Sequence, residues 1–311
     1  MSDSARPPGG RCVIFASAEY TELKIGGFAM RAKNIWVIGG DPRQEALAAL
    51  LADEGHTVHT YALGEGGEKD LSQLHRADCV ILPLPAVGEG GLVNATLSEA
   101  ELPVEQVLDA MRPGQLLCAG LVKKELETLA AERGVVLRDY FAREELAVLN
   151  AIPTAEGAIQ IALEEMPTTL HDSRVLIVGF GRIGQALAPR LRGLGARVTV
   201  AARRAEQRAL ARSAGACTER LDHLARWLCS YDLIINTVPA RVLGEEELAA
   251  LKEGALVIDL ASKPGGVDFA AAASQGVRCI WALSLPGKAA PVSAGQYIMD
   301  TVYHIMEELG V

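Results

Sequence analysis

RVLIVGFGRIGQAL, Arg174–Leu187, is the stretch that decides the fold. Four apolar residues, Val175 to Val178, run directly into Gly179, Gly181 and Gly184, and a helical pattern follows. This is the strand–turn–helix arrangement that a dinucleotide needs. The first glycine permits the tight turn, the second lets a pyrophosphate approach the backbone, and the third lets the helix pack on the strand. The amides that open the helix, at Arg182, Ile183 and Gly184, favour the phosphate charge. A second apolar run, Val198–Ala201, ends in Ala202, Arg203 and Arg204. An acid at this place would bind the ribose hydroxyls of NAD, whereas two arginines and no acid suit a 2′-phosphate. The expected cofactor is therefore NADP. The plainer alternatives are a structural glycine turn and two solvated arginines at a helix start.

Working outward, the second half of the chain continues with apolar runs at Leu233–Asn236, Leu256–Leu260 and Arg278–Trp281. The first half repeats the plan, with expected strands Ile35–Ile38, Thr57–Tyr61, Cys79–Leu82, Leu116–Ala119 and Val135–Leu137. Helical patterns at Arg43–Asp53, Val104–Met111 and Lys123–Arg133 lie between them. Strand–helix alternation predicts an α/β chain of two doubly wound parallel-sheet, Rossmann-like domains with a cleft between them. Residues 1–29 are expected to form a poorly ordered extension. Residues 30–150 are expected to form a substrate or partner domain, joined by a C-terminal helix over 293–309, and residues 151–292 the NADP-binding domain. Between the domains, Glu144–Asn150 and Glu156–Glu165 read as two helices interrupted at Ile152-Pro153-Thr154, because proline is disfavoured deep in a helix. At the far end Ile298, Val302, Ile305 and Leu309 make one apolar stripe at helical spacing, which predicts a helix packing back on the first domain.

The bulk numbers narrow the partners. The net charge is −9, so nothing draws this chain generally to nucleic acid or acidic membranes, and an anionic substrate needs locally placed cations. No stretch of about 18 residues or more is purely apolar, so no membrane span is expected. The cysteines Cys12, Cys79, Cys118, Cys217, Cys229 and Cys279 form no CxxC and mostly sit in or beside apolar runs, as buried reduced thiols of a cytosolic protein would. His56 and His59 lie on an alternating, strand-like segment, where residues three apart face opposite sides; no metal site is expected.

In open parallel sheets, ligands bind beyond the carboxyl ends of the strands. After the first strand comes Gly39-Gly40-Asp41-Pro42-Arg43-Gln44, where free helix amides beside Arg43 are expected to hold a carboxylate. The third strand leads into a loop, Pro83–Gly91, that is placed to cover a ligand. In the second half, Thr237, Val238 and Pro239 lie where a nicotinamide and its ribose would pass over the sheet edge. Ser262 and Lys263 follow the next strand, and Lys288 and Ser293 stand near the start of the terminal helix. Either lysine alone reads more readily as a surface charge; several groups converging from neighbouring strand ends read as a site.

GGDPRQ, NAIPTAEGAI (Asn150–Ile159), GFGRIG, NTVP, DLASKPGGVDF and LPGKAAPVSAGQ together resemble the A-subunit family of dipicolinate synthase, in order from Met30 to the C-terminus. GxGxxG and NTVP are common to many dehydrogenases; GGDPRQ, PTAEG and DLASKPGG are far more particular. The resemblance implies an NADP-dependent oxidation of dihydrodipicolinate to pyridine-2,6-dicarboxylate (dipicolinate) in spore formation. It also implies a separate, flavoprotein-like partner, the B-subunit of dipicolinate synthase, and the cytoplasm of the mother cell of a sporulating bacterium. A homo-oligomer is a further expectation. On this reading Arg43 and Lys263 clamp the two carboxylates of a small dicarboxylate, with Gly40, Asp41, Ser262 and Lys288 beside them. Thr154 and Glu156 border the nicotinamide, Glu156 being a candidate base that reads equally as a helix cap. The competing readings are a shikimate dehydrogenase-like enzyme, with Lys123 or Lys124 paired to Asp139, and a module that senses NADP without turnover. A hydroxyacid-type enzyme would carry a histidine acid in the terminal LPGKAAP loop, which has none.

Overall fold

The computed structural model describes residues 31–311, so the expectation for residues 1–29, Cys12 included, lies outside the described residues. The first sheet is built from β1 (Asn34–Ile38), α1 (Pro42–Asp53), β2 (Thr57–Tyr61), β3 (Cys79–Ile81), α2 (Val104–Asp109), β4 (Leu116–Ala119), α3 (Lys124–Glu132) and β5 (Val136–Asp139). Its order is β2-β1-β3-β4-β5, with every pairing parallel. β1, β3 and β4 are almost wholly buried, because helices cover both faces, and their unbroken apolar runs follow from that.

α4 (Glu144–Glu165) leads into β6 (Arg174–Val178), α5 (Arg182–Gly193), β7 (Arg197–Ala202), α6 (Ala205–Ser213), β8 (Cys217–Arg220) and β9 (Leu233–Asn236). Then come α7 (Glu245–Ala249), β10 (Leu256–Asp259), α8 (Phe269–Ser274), β11 (Arg278–Trp281), α9 (Leu285–Ala289) and α10 (Pro291–Leu309). This second sheet is also parallel throughout, in the order β11-β10-β9-β6-β7-β8. The strand order reverses between β6 and β9, and the glycine turn of Gly179–Gly184 leaves β6 at that switch point. Ligands of open α/β sheets bind at such a crevice.

Two elements depart from the expectations drawn from sequence. α4 is one continuous helix of 22 residues with Pro153 inside it, not two helices interrupted at that proline. Pro153 is buried, and Ala155, Ala158, Ile159 and Ala162 are packed into the core of the second sheet; this packing offsets the hydrogen bond that the proline removes. α4 is also long and apolar enough to cross a membrane by composition, yet that apolar side lies in the core. The edge strand β8 is not among the expected strands: its sequence, CTER, offers a part-exposed edge and no apolar run to betray it.

α10 lies against α1, with Ile298, Val302 and Ile305 buried and Leu309 exposed at the helix end. The approach is close. A Cβ on Gly295 would come within 2.8 Å of the Arg43 carbonyl and 3.0 Å of the Leu47 amide. His56 and His59 are each engaged separately. The His56 Nδ1 accepts from the Lys33 amide and its Nε2 bonds the Tyr303 hydroxyl at 2.8 Å, while His59 pairs with Glu68 at 2.7 Å. Cys79 and Cys118 are buried side by side, Sγ to Sγ 3.9 Å, and the hydrogen bond to Cys118 together with burial pushes the Cys79 thiol far up. Burial raises the Cys279 thiol to about 11. Cys217 and Cys229 are exposed, against the expectation of burial.

Candidate active site

At the switch point each glycine of GFGRIG has its own reason. Gly179 has φ +95°, and a Cβ there would collide with Thr237 Oγ1 and lie 2.8 Å from Val238 Cγ2. Thr237 in turn donates its hydroxyl to the Val178 carbonyl at 2.9 Å, so NTVP and GFGRIG are one packed unit. A Cβ on Gly184 would meet the Gly179 carbonyl at 2.5 Å. Gly181 is different: it has an ordinary extended backbone and its Cβ would meet nothing within 4 Å. It opens α5 as the N-cap with no side chain bonded to the first-turn amides of Arg182, Ile183 and Gly184. An uncapped helix start beside open space fits a pyrophosphate.

At the end of β7, Arg203 and Arg204 are exposed, and Arg204 pairs with Glu206 at 3.4 Å. A third arginine, absent from the expectations, stands with them. Arg208, one turn into α6, donates Nη1 to the carbonyls of Ala202 and Arg203 at 2.8 and 2.7 Å. Its spacing of four from Arg204 is the available signal, since residues so spaced share a helix face. Arg182 is tied to Glu144 at the start of α4, 3.1 Å away.

The ends of β9 and β10 are held by a buried polar knot. Asp259 and Asn236 are both fully buried. One oxygen of Asp259 accepts from the Asn236 side-chain amide at 2.8 Å and from the Ala261 amide at 3.0 Å; the other accepts from the Gly266 amide at 2.8 Å. Trp281 donates its indole N–H to the Ala261 carbonyl at 2.9 Å. The carboxylate thus shapes the loop from Ala261 to Gly266, leaving Ser262 and Lys263 at the surface and Pro239 exposed on the neighbouring loop. Lys288, on α9, is exposed as well, and neither lysine takes part in an ion pair among the described residues.

The first domain corrects the reading of GGDPRQ. The start of α1 is not a free anion site, because Asp41 already caps it. Its carboxylate accepts from the Arg43 amide at 2.9 Å, and Gln44 returns its side-chain oxygen to the Asp41 amide at 3.2 Å. Gly40 is there for that cap, since a Cβ on it would sit 2.6 Å from the Gln44 side chain. Arg43 is likewise no open clamp. Its guanidinium is buried, paired with Asp41 at 2.7 Å and bonded to the Leu84 carbonyl at 2.6 Å. A charge so satisfied within the protein is not free to meet a substrate carboxylate. Beside this cluster Tyr140 donates to the Leu82 carbonyl, and burial drives its phenol far above the usual range.

The linker residues are also placed differently. Glu156 is exposed, and its carboxylate is paired with Arg190 of α5 at 3.2 Å rather than capping the helix start. Thr154 returns its hydroxyl to the Asn150 carbonyl at 2.7 Å, within α4. Asp139 accepts from four backbone amides, those of Leu121, Val122, Phe141 and Ala142, at 2.8 to 3.3 Å. It therefore forms a loop cap rather than half of a Lys–Asp pair, and the shikimate dehydrogenase-like arrangement is not built.

What the structure does bring together are GGDPRQ, PTAEG and LPGKAAP. Gly157 of PTAEG packs on α9, where a Cβ would meet Ala289 at 3.1 Å and Leu285 at 3.3 Å. Gly287 of LPGKAAP packs on the Asp41–Arg43 pair, at 3.3 and 3.2 Å by the same measure.

Residues 34–141 match the family described as the N-terminal domain of the dipicolinate synthase A-subunit. Residues 152–268 match "D-isomer specific 2-hydroxyacid dehydrogenase, NAD binding domain". The dipicolinate synthase A-subunit of Bacillus subtilis (strain 168) is 32% identical over 285 residues, covering 88% of this chain and 96% of that one. The crystal structure of the dipicolinate synthase A-subunit from Bacillus halodurans superposes with a TM-score of 0.80 at 29% identity, over 88% of this chain and 97% of the other. The transhydrogenase of Sinorhizobium meliloti, at 18% identity and a TM-score of 0.65 over 88% of this chain and 94% of its own, shares the fold. The second domain is thus a nicotinamide-binding domain of the dehydrogenase kind, and the chain, an oxidoreductase, belongs to the A-subunit family of dipicolinate synthase.

Proposed function

We propose that this chain oxidises dihydrodipicolinate to pyridine-2,6-dicarboxylate with NADP as the hydride acceptor. It works with the B-subunit of dipicolinate synthase, in the cytoplasm of the mother cell of a sporulating bacterium. The observation that carries the reading is the similarity to the dipicolinate synthase A-subunit over nearly the whole of both chains. The NADP preference is supported by Arg203 and Arg204 at the end of β7, with Arg208 behind them and no acid at that strand end. The dicarboxylate is supported by Lys263 and Lys288, two cations outside any ion pair among the described residues, on segments that follow the adjacent strands β10 and β11.

Gly179, Gly181 and Gly184, with the amides of Arg182 and Ile183, would hold the pyrophosphate, and Thr237, Val238 and Pro239 would border the nicotinamide ribose. The bound nicotinamide supplies the hydride acceptor. The residues of the chain bind and orient. Lys263 and Lys288 take one carboxylate each, with Ser262 as a further donor, and fix the ring carbon that loses hydride over the cofactor pocket. The remaining electrons stay in the ring, one proton departs, and the product is aromatic. Aromaticity drives the reaction, so water suffices as proton acceptor, and orientation is the larger task.

The test mixes purified chain, NADP and freshly generated dihydrodipicolinate, with and without the B-subunit. Reduced-nicotinamide absorbance is followed beside the ultraviolet spectrum of the product. A rise in both is expected. Cofactor binding with no rise, even with that companion protein present, refutes the proposal and leaves a different dehydrogenase or a sensing module.

A further inference from the structure

Arg43 has almost no surface, 6% exposed, and the chemistry proposed above leaves its charge unused. Its guanidinium is engaged in two directions. Nε and Nη2 bind both oxygens of Asp41, and Nη2 also donates to the Leu84 carbonyl at 2.6 Å. Leu84 lies in the Pro83–Gly91 loop that follows β3. On the far side sits Gly287 of α9, packed so closely that a Cβ on it would lie 3.2 Å from Arg43 Nε and 3.3 Å from Asp41 Oδ2. The carbonyl of Arg43 meets Gly295 of α10. Four segments from both domains therefore meet on one residue. A planar fork that is bidentate to a carboxylate and still has a donor for a carbonyl is something arginine supplies and lysine does not.

Gly287 is followed directly by Lys288. We infer that Arg43 is a positioning residue: a buried latch that fixes α9, and with it Lys288, against the Pro83–Gly91 loop, so that the lysine meets a substrate carboxylate in one geometry. The inference rests on the dicarboxylate reading. A carboxylate remote from the reacting bond is held equally in the ground and transition states. Loosening the lysine therefore raises KM and leaves kcat nearly unchanged.

The variant R43K keeps the charge and loses the fork. G287A keeps both charges and pushes α9 off the pair, and it serves if R43K does not fold. In the full chain with its companion B-subunit, hydrogen–deuterium exchange of segments 83–91 and 285–290 should quicken about fivefold or more, with β6 to β10 unchanged. KM for the dicarboxylate should rise about tenfold, the worth of one weakened charge-assisted bond, with kcat within about twofold. In a K288A background, R43K should raise KM no further, because the lysine through which it acts is gone. Unchanged exchange in both segments overturns the latch. So does an equal KM increase in both backgrounds, which marks a general role in folding. If the wild-type chain does not oxidise dihydrodipicolinate, the functional proposal falls by itself, and the exchange result still decides whether Arg43 holds these segments.

Discussion

Replacing Gly181 by alanine should weaken cofactor binding by about tenfold or more while leaving the fold almost untouched. Its backbone has φ −84°, open to any residue, and an added Cβ meets no atom within 4 Å. In the folded protein the substitution gains about 0.4–1 kcal/mol by restricting the unfolded chain. It loses a similar amount because alanine is a poorer N-cap than glycine. The net effect is near zero. The methyl group, however, occupies the space over the uncapped start of α5. A pyrophosphate displaced from there forfeits one or two charge-assisted hydrogen bonds of about 1.5–3 kcal/mol each. At about 1.4 kcal/mol per tenfold, affinity should fall by at least about tenfold, and by about 100-fold where two bonds are lost. Titration of NADPH fluorescence gives the affinity, and urea unfolding gives the stability. Gly184→Ala is the control, because its Cβ would strike the Gly179 carbonyl at 2.5 Å and stability itself should fall by about 1–3 kcal/mol. Wild-type affinity in G181A, or a stability loss in G181A as large as in G184A, refutes the assignment of that space to the cofactor.

Asp259→Asn keeps the shape of the knot but replaces one carboxylate acceptor by an amide donor that faces a buried N–H donor. A loss of about 2–4 kcal/mol is expected in urea unfolding, and a change below about 0.5 would mean that the loop does not depend on this carboxylate. Arg203→Ala combined with Arg204→Ala should weaken NADP about tenfold or more and leave NAD binding unchanged in parallel titrations; equal losses for both cofactors would remove the 2′-phosphate reading. For His56, burial lowers the pKa, with Glu54 opposing and Lys33 assisting, and the Tyr303 hydroxyl faces the ring. The unfolded state then binds the proton more readily than the native one. The stability from neutral His56 is fully present above pH 6.5 and is lost as pH falls through 6.5 towards the lower native value. Thermal unfolding between about pH 5 and 8 should show this slope in the wild type and a shallower one in His56→Gln; parallel curves would exclude His56 as its source.

Both sheets are legible in the sequence because their buried strands are written as apolar runs that end in turn residues. The exceptions follow from what a sequence leaves out. Pro153 looks like a break until Ala155, Ala158 and Ile159 are seen packed against the second sheet, a tertiary gain that overrides local propensity. β8 carries no apolar run because only one edge of it is paired. The dinucleotide turn is readable because its glycines sit at spacings fixed by backbone geometry. The polar residues of the first domain are not. Asp41, Arg43 and Asp139 have the types that bind substrates, and sequence does not reveal that each is already satisfied, Asp41 and Arg43 by one another and Asp139 by four loop amides.

That satisfaction bears on how motifs should be weighed. GGDPRQ and PTAEG set this chain apart from common dehydrogenases, and with LPGKAAPVSAG, which carries the same resemblance, they read by residue type as a substrate site. In the structure they give Arg43, Gly157, Gly287 and Gly295 to one junction where α1, α4, α9 and α10 meet. Three of the four are glycines lying against a neighbouring element at distances that leave a methyl group no easy place. Such residues are fixed by packing at a junction between the domains. Ser262, Lys263 and Lys288 have exposed side chains, and neither lysine makes an ion pair among the described residues. Their side chains are the groups that the proposed ligand can engage. The junction and the ligand thus impose two separate demands on the same short motifs. In LPGKAAP they fall, on the function proposed above, on adjacent residues: Gly287 answers to the ion pair beneath it and Lys288 to a substrate carboxylate.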